Sequence, residues 1–382
     1  MKKNILFVLP SFEVGGTTVS TRHLISVLDK EKYNISVLPL LDDGILKWMF
    51  TGVDLLPSNY VSRALAIKGW NCERNWSKRI LTGVIRFFAK SKFFQSALFK
   101  YAYKTSINKR KFDTVVSCEE GLSTSLVGES VKGKKIAWVR CDYKRVYEAR
   151  GNKIDPIYNC FDYIVCVAEQ TRESFVSLFT NLEIKTVCIH NPQDSQLIIN
   201  NALYNDHDSR FTALNEKIIV SVGRLDKVKR FESIPAIARS LVEKNLRFKW
   251  FIIGDGGEKQ NIEEEIKKNN IQGNVIMLGA KSNPHFYIKQ ADLYVCLSLS
   301  EACPRVINEA KILGTPVVST DFPTVYEYLE DGVNGRIVPL DHITNTVYEL
   351  LTDDLLYQRI KKEIDNFTFD NSPLVERLEQ IL

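Results

Sequence analysis

Short apolar runs of strand length punctuate the chain, and amphipathic stretches separate them. Ile5–Leu9, Ile35–Leu40, Thr114–Ser117, Lys135–Val139, Tyr163–Val167 and Val187–His190 form a first set. Lys217–Val222, Phe248–Ile253, Val275–Leu278, Leu293–Leu297, Pro316–Ser319 and Gly335–Val338 form a second. Strands that are apolar throughout are buried on both faces, which is the situation of a parallel sheet covered by helices. Helical spacing lies between them, at Val19–Leu28, Ser233–Lys244, Lys259–Asn269, Arg305–Leu313 and Thr344–Asp365. The pattern lapses between Gln193 and Asn215, a polar stretch that reads as an interdomain connection with about one helical turn. The expectation is an α/β chain of two doubly wound domains, 1–195 and 196–369. An amphipathic tail helix, Pro373–Leu382, follows. The 382 residues suit two domains of ordinary size. Open parallel sheets bind ligands beyond the carboxyl ends of their strands, so the two sheets are expected to face a central cleft.

Composition excludes several classes. The apolar start, Ile5–Leu9, is too short for a signal peptide and is followed by Glu13, so it reads as a buried strand. No run has the length of a membrane span. The eight cysteines show no Cys-x-x-Cys pair, and Cys166, Cys188 and Cys296 fall in strand-like runs. Reduced, buried thiols in a cytoplasmic protein account for them, and a zinc site is not expected. The net charge is only +5, yet Arg74 to Lys111 carries eleven Lys and Arg and no acid. Ile80, Val84, Phe87, Phe88, Phe93, Phe94, Leu98, Phe99 and Tyr101 interleave with those bases. A basic, aromatic-rich amphipathic helix suits an anionic membrane surface, where each base contributes about 1 kcal/mol. The alternative is that the aromatics belong to the core and the bases form a solvated face. No nucleic-acid module is present, so nucleic acid is not an expected partner.

The stretch Ser298-Leu299-Ser300-Glu301-Ala302-Cys303-Pro304-Arg305-Val306-Ile307-Asn308-Glu309-Ala310 leaves a strand and opens a helix. Unpaired N–H groups and the helix dipole favour an anion there. Side chains lean toward a helix amino terminus, so Glu301 and Glu309 can face one pocket and accept from sugar or ribose hydroxyls. Either acid alone reads as an ordinary surface carboxylate. A second stretch, Ser221-Val222-Gly223-Arg224-Leu225-Asp226-Lys227-Val228-Lys229-Arg230, gathers bases at a strand's end, where a departing diphosphate needs positive charge. Gly15-Gly16 and Gly254-Asp255-Gly256-Gly257 also follow strands. Both are tight turns that permit close approach of a ligand, and neither is the dinucleotide fingerprint.

Together these stretches resemble the retaining glycosyltransferases of family 4, which have the GT-B fold. The resemblance covers nearly the whole chain and is strongest from Ser221 to Pro339. The Gly15-Gly16 loop, Gly223-Arg224-Leu225 with Lys229, the Glu301/Glu309 pair as a Glu-x7-Glu signature, and Gly314-Thr315-Pro316-Val317-Val318 with Asp331-Gly332-Val333-Asn334-Gly335 carry it. It implies that Arg224 and Lys229 neutralise a donor diphosphate, that Glu301 holds the transferred sugar, and that Glu309 holds the ribose. It further implies that Arg305 and the backbone near Val306 bind phosphate, and that Asp255, Lys281, Ser282 and Asn283 lie near the base. No metal or other cofactor is implied. The tail helix, 370–382, would cross back to the first domain.

Two positions depart from the family's pattern. Arg140 stands in Trp138-Val139-Arg140-Cys141-Asp142, where many relatives have a His, and is a candidate contact for acceptor or sugar. Ala302-Cys303-Pro304-Arg305 replaces a common Gly-Phe-Gly, so Pro304 removes one N–H donor.

The reading that follows is transfer of a sugar from a nucleotide-sugar, UDP by family frequency, with retention. The acceptor would be a saccharide or a polyprenyl-linked saccharide in bacterial surface polysaccharide assembly. Location would be cytoplasmic and peripheral on the inner membrane face. The rivals are an epimerase or phosphorylase of the same architecture, a non-catalytic scaffold partner of another transferase, and an NAD-dependent dehydrogenase, which the absent fingerprint disfavours.

Overall fold

The computed structural model describes residues 2–13, 15–67, 76–204, 208–211 and 215–382. Arg74, the first base of the basic run, lies outside them. The chain divides into two compact units, 1–192 with 371–382, and 193–370.

The first unit is built on seven parallel strands: β1 (Lys3–Leu9), β2 (Tyr33–Pro39), β3 (Asp54–Leu55), β4 (Thr114–Ser117), β5 (Lys134–Val139), β6 (Tyr163–Cys166) and β7 (Thr186–Cys188). Their order is β3-β2-β1-β4-β5-β6-β7. The reversal beside β1 is the switch point of a doubly wound sheet. Ile5 to Leu9 are fully buried, which explains why the run lacks polar alternation. The tail helix Ser372–Ile381 belongs to this unit. Leu378, Ile381 and Leu382 are buried. Thr114 Oγ1 donates to the Leu382 carbonyl at 2.9 Å, and Lys32 pairs with Glu379 at 2.9 Å.

The second unit has six parallel strands: β8 (Lys217–Val222), β9 (Phe248–Ile253), β10 (Val275–Gly279), β11 (Leu293–Cys296), β12 (Val317–Thr320) and β13 (Arg336–Val338). Their order, β10-β9-β8-β11-β12-β13, reverses between β8 and β11. Apolar clusters cover both faces, one around Ile219, Trp250 and Leu293, the other around Val220, Phe251 and Tyr294. Adjacent residues of one strand thus serve opposite cores, as a period of two requires.

Three elements differ from the sequence expectation. β3 is too short to leave a pattern. The stretch after Pro192 holds a helix, Ser195–Leu203, longer than a single turn. The Asp194 side chain caps it by accepting from the Leu197 N–H at 3.0 Å, and Ile198 and Ala202 bury themselves in the second unit. Its amphipathic period was hidden by four polar residues among nine. Third, Thr344–Asp365 is two helices, Ile343–Thr352 and Asp354–Asp365. Asp353 ends the first and caps the second through the Leu356 N–H.

Candidate active site in the second unit

The loops that follow β8 and β11 leave neighbouring strands at the sheet's switch point. The Leu299 N–H donates to the Val228 carbonyl at 2.7 Å, which ties the loops together. Asp226 shapes the first loop. Its Oδ1 accepts from the N–H groups of Val228 and Lys229, each at 3.1 Å. Lys229 is thereby turned back toward β11, and its stem lies 3.5 Å from where a Cβ on Gly223 would stand.

Lys229 Nζ reaches Glu301 Oε1 at 2.6 Å. The same oxygen accepts from Ser298 Oγ at 2.6 Å, and Thr324 Oγ1 donates to the Glu301 carbonyl. Burial works against the Lys229 charge, but the adjacent Glu301 carboxylate outweighs it and holds the ammonium pKa above its ordinary value. Lys229 therefore stays cationic in a partly buried place.

Glu309 lies within the helix Arg305–Ile312 and is 2 % exposed. Arg305, one turn earlier, meets Glu309 Oε1 at 3.0 Å. His285 Nε2 stands 3.4 Å from Glu309 Oε2, and its Nδ1 is 3.5 Å from the Asn201 amide. Tyr294 is buried beside both acids and donates to the Val222 carbonyl at 3.4 Å. Burial and the neighbouring Cys296, Glu301 and Glu309 push its phenol well above the ordinary range, so it stays neutral. Both carboxylates thus face cationic or neutral donors.

Other expected residues are placed differently. Arg224 is 78 % exposed and bonds Asp226 Oδ2 at 2.6 Å, so it stands at the rim. Gly254 and Gly256 are structural. A Cβ on Gly254 would lie 1.8 Å from the Gly223 carbonyl oxygen, and one on Gly256 2.4 Å from that of Leu225. The Leu225 N–H donates to the Asp255 carbonyl at 2.9 Å, so these loops are laced backbone to backbone. The Asp255 carboxylate turns onto the Gly256 N–H at 2.9 Å. Lys281 is held by Asp208 at 2.8 Å and lies over the Tyr287 ring. The Asn283 amide donates to the carbonyls of Asn201 and Tyr204, fastening the helix Ser195–Leu203, while its buried Oδ1 has no partner among the described residues. Ser282 is exposed. Val306 opens the helix that carries Glu309. Cys303 receives the Tyr328 hydroxyl at 3.1 Å.

In the first unit, Gly15 caps the helix Gly16–Val27, and among the described residues nothing lies within 4 Å of a Cβ at either glycine. Arg140 is engaged by the protein itself. It donates to the Cys118 carbonyl at 2.6 Å, to Ser20 Oγ at 2.7 Å and to Asn191 Oδ1 at 2.6 Å. It staples the loops after β4, β5 and β7 to the first helix.

Sequence reasoning did not single out His285 or Tyr294. A lone histidine near Asn283 and a tyrosine within a strand carry no pattern. Only the fold brings them to Glu309 and Glu301.

A family profile described as "Glycosyl transferases group 1" matches residues 205–367. Those residues belong to the glycosyl transferases group 1 family. The group 1 region holds Arg224, Lys229, Glu301, Arg305 and Glu309. The chain is 30 % identical over 170 residues to an uncharacterized glycosyltransferase of Methanocaldococcus jannaschii, covering 44 % of this chain and 41 % of that protein. It is 27 % identical over 214 residues to the N-acetylgalactosamine-N,N'-diacetylbacillosaminyl-diphospho-undecaprenol 4-alpha-N-acetylgalactosaminyltransferase of Campylobacter jejuni, covering 56 % of each. The chain thus spans roughly two fifths to just over half of the length of these curated relatives. Anabaena HepE, solved in complex with UDP-glucose, superposes with a TM-score of 0.74 at 15 % identity, covering 99 % of this chain and 98 % of that one. That likeness shows the GT-B fold, two Rossmann-like units in sequence.

Proposed function

We propose that this protein is a glycosyltransferase that moves a sugar from a UDP-sugar to a saccharide on a polyprenyl diphosphate, with retention at the anomeric carbon. The observation that carries the reading is the pairing of Lys229 with Glu301 in a group 1 region, with Glu309 one helix turn beyond Arg305. The named relatives supply the substrate classes: a UDP-glucose complex for Anabaena HepE and a diphospho-undecaprenol acceptor for the Campylobacter jejuni enzyme.

An ammonium has three donors, so Lys229 can hold Glu301 with one and a diphosphate oxygen with another. Charge grows on that oxygen as the glycosidic bond breaks, and a fixed cation stabilises it more in the transition state than in the ground state. Arg224 adds a second cation from the rim. Glu301 accepts from sugar hydroxyls and fixes the anomeric carbon relative to the leaving group. Glu309, oriented by Arg305 and His285, accepts from the ribose hydroxyls. The leaving phosphate oxygen takes the acceptor's proton on the same face, which gives retention without an enzyme nucleophile. Residues Lys281, Ser282, Asn283 and Asp255 belong to the base side of this scheme, Val306 and Arg305 to the phosphate side, and Gly15 and Gly16 to the approach of the sugar.

A thermal-shift screen against UDP, GDP, ADP and CMP tests donor choice. Native-state binding raises the midpoint according to ligand concentration over Kd. A shift with UDP alone supports the reading. A shift with another nucleotide reassigns the base, and no shift with any favours a non-catalytic scaffold.

A further inference from the structure

The basic segment of the first unit folds as two helices, Trp76–Phe88 and Lys92–Ile107. In the first, Trp76, Ile80, Val84 and Phe87 recur at helical spacing on one face. That face is turned away from the core, with Trp76 77 % and Phe87 69 % exposed, while Thr82 and Ile85 are the buried residues. The second helix repeats this. Phe99, Ala102 and Ser106 face inward, whereas Phe93 is 78 % and Tyr101 59 % exposed. Phe87, Phe88, Phe94 and Phe93 stack edge to face across the turn between the helices. A cleft of about 310 Å³ lies between the helices, lined by Val84, Ile85, Phe88, Phe94, Ala97 and Leu98.

Within the segment 76–111 the charge has one sign. Lys78, Lys90, Lys92, Lys100 and Lys104 are exposed, as are Lys109 and Lys111 beyond the second helix. Residues 76–111 contain no Asp or Glu. Arg86 and Arg110 serve the fold instead, Arg86 by donating to the carbonyls of Ala64 and Ile67, and Arg110 by pairing with Asp54. An apolar stripe that faces outward and is flanked by lysines is the arrangement of a helix lying in a membrane interface.

We infer that the hairpin 76–107 seats this protein in the surface of an anionic bilayer. Its aromatic stripe sinks to the acyl boundary, its lysines meet the phosphate headgroups, and lipid hydrocarbon fills the cleft. Charge complementarity selects the bilayer over a second copy of the chain, because two such faces would bring lysines against lysines. The inference deepens the lipid-linked acceptor reading, and its test uses no donor, so either can fail alone.

The test is flotation of the full chain with phosphatidylcholine vesicles that contain or lack phosphatidylglycerol, alongside Phe87→Ser/Phe93→Ser and Lys90→Gln/Lys92→Gln. Binding is expected only with the anionic vesicles and to fall with salt. The aromatic pair should weaken it by about tenfold or more with the thermal midpoint unchanged, since both rings are exposed. The lysine pair should weaken it by about tenfold. Absence of flotation, or flotation unaffected by the aromatic pair, would overturn the inference. Self-association abolished by the aromatic pair, without vesicle binding, would assign the face to a second copy.

Discussion

Lys229 Nζ and Glu301 Oε1, separated by 2.6 Å, join the loops that follow two adjacent strands, β8 and β11, at the switch point of the second sheet. The Glu301 carboxylate keeps Lys229 cationic and holds its ammonium in position. If Lys229 stabilises the leaving diphosphate, Lys229→Ala should lower kcat by about 10²–10³. Its melting midpoint should fall less than that of Glu309→Ala, because Lys229 and Glu301 are less deeply buried than Arg305 and Glu309. Steady-state kinetics with a UDP-sugar, run beside thermal unfolding, separate the two effects.

Glu309 is more deeply placed, and its loss should affect folding as well. Glu309→Ala removes the partner of Arg305, and breaking such a buried pair costs about 3–5 kcal/mol. Glu309→Gln keeps the shape and one acceptor. It should fold and raise the donor KM more than it lowers kcat. Equal KM values for Glu309→Gln and the parent protein would remove Glu309 from the ribose.

The glycine loops divide into two kinds. Ala at Gly254 or Gly256 drives a methyl into a backbone carbonyl at a φ near +155°, so both substitutions should destabilise by more than the ordinary 1–3 kcal/mol of backbone strain. Gly15→Ala and Gly16→Ala meet nothing within 4 Å. Their stability should stay within about 0.5 kcal/mol of the parent. A fall in turnover at Gly15 or Gly16 would then report contact with substrate, and unchanged turnover would make that loop an ordinary turn.

Lys311, on the same helix as Glu309, is buried with Nζ on the Tyr328 carbonyl at 2.7 Å and over the Phe367 ring. Burial lowers its pKa to about 8. The folded state therefore binds fewer protons than the unfolded state between that value and about 10.4, the ordinary lysine pKa, and stability rises with pH across this window. Relative to Lys311→Met, the protein should gain up to about 3 kcal/mol from pH 8 to 10.5 in urea unfolding. A flat difference would show that Lys311 stays charged in the fold.

Among the described residues, twelve of the thirteen strands are legible in the sequence because each leaves a short, largely apolar run between amphipathic stretches. β3 escapes because two residues cannot show a period. The candidate residues stood out where charged groups gather at a strand end, as at Lys229 and Glu301, although their contact did not. It was not legible where a side chain's partner depends on packing. Nothing in the residues around Arg140 shows that Cys118, Ser20 and Asn191 will receive its guanidinium. Nothing near Asn283 shows that its amide will fasten a helix some eighty residues earlier. The aromatic residues of 76–107 were readable as core or as surface, and only the direction of the helix face decides between them.

Calorimetric titration of UDP into the protein and into Lys229→Ala tests whether Lys229 holds a donor diphosphate. Saturable binding at one site is expected, weakened by about tenfold or more in the variant. Absence of UDP binding by the parent protein, or equal affinity in the two, would contradict it.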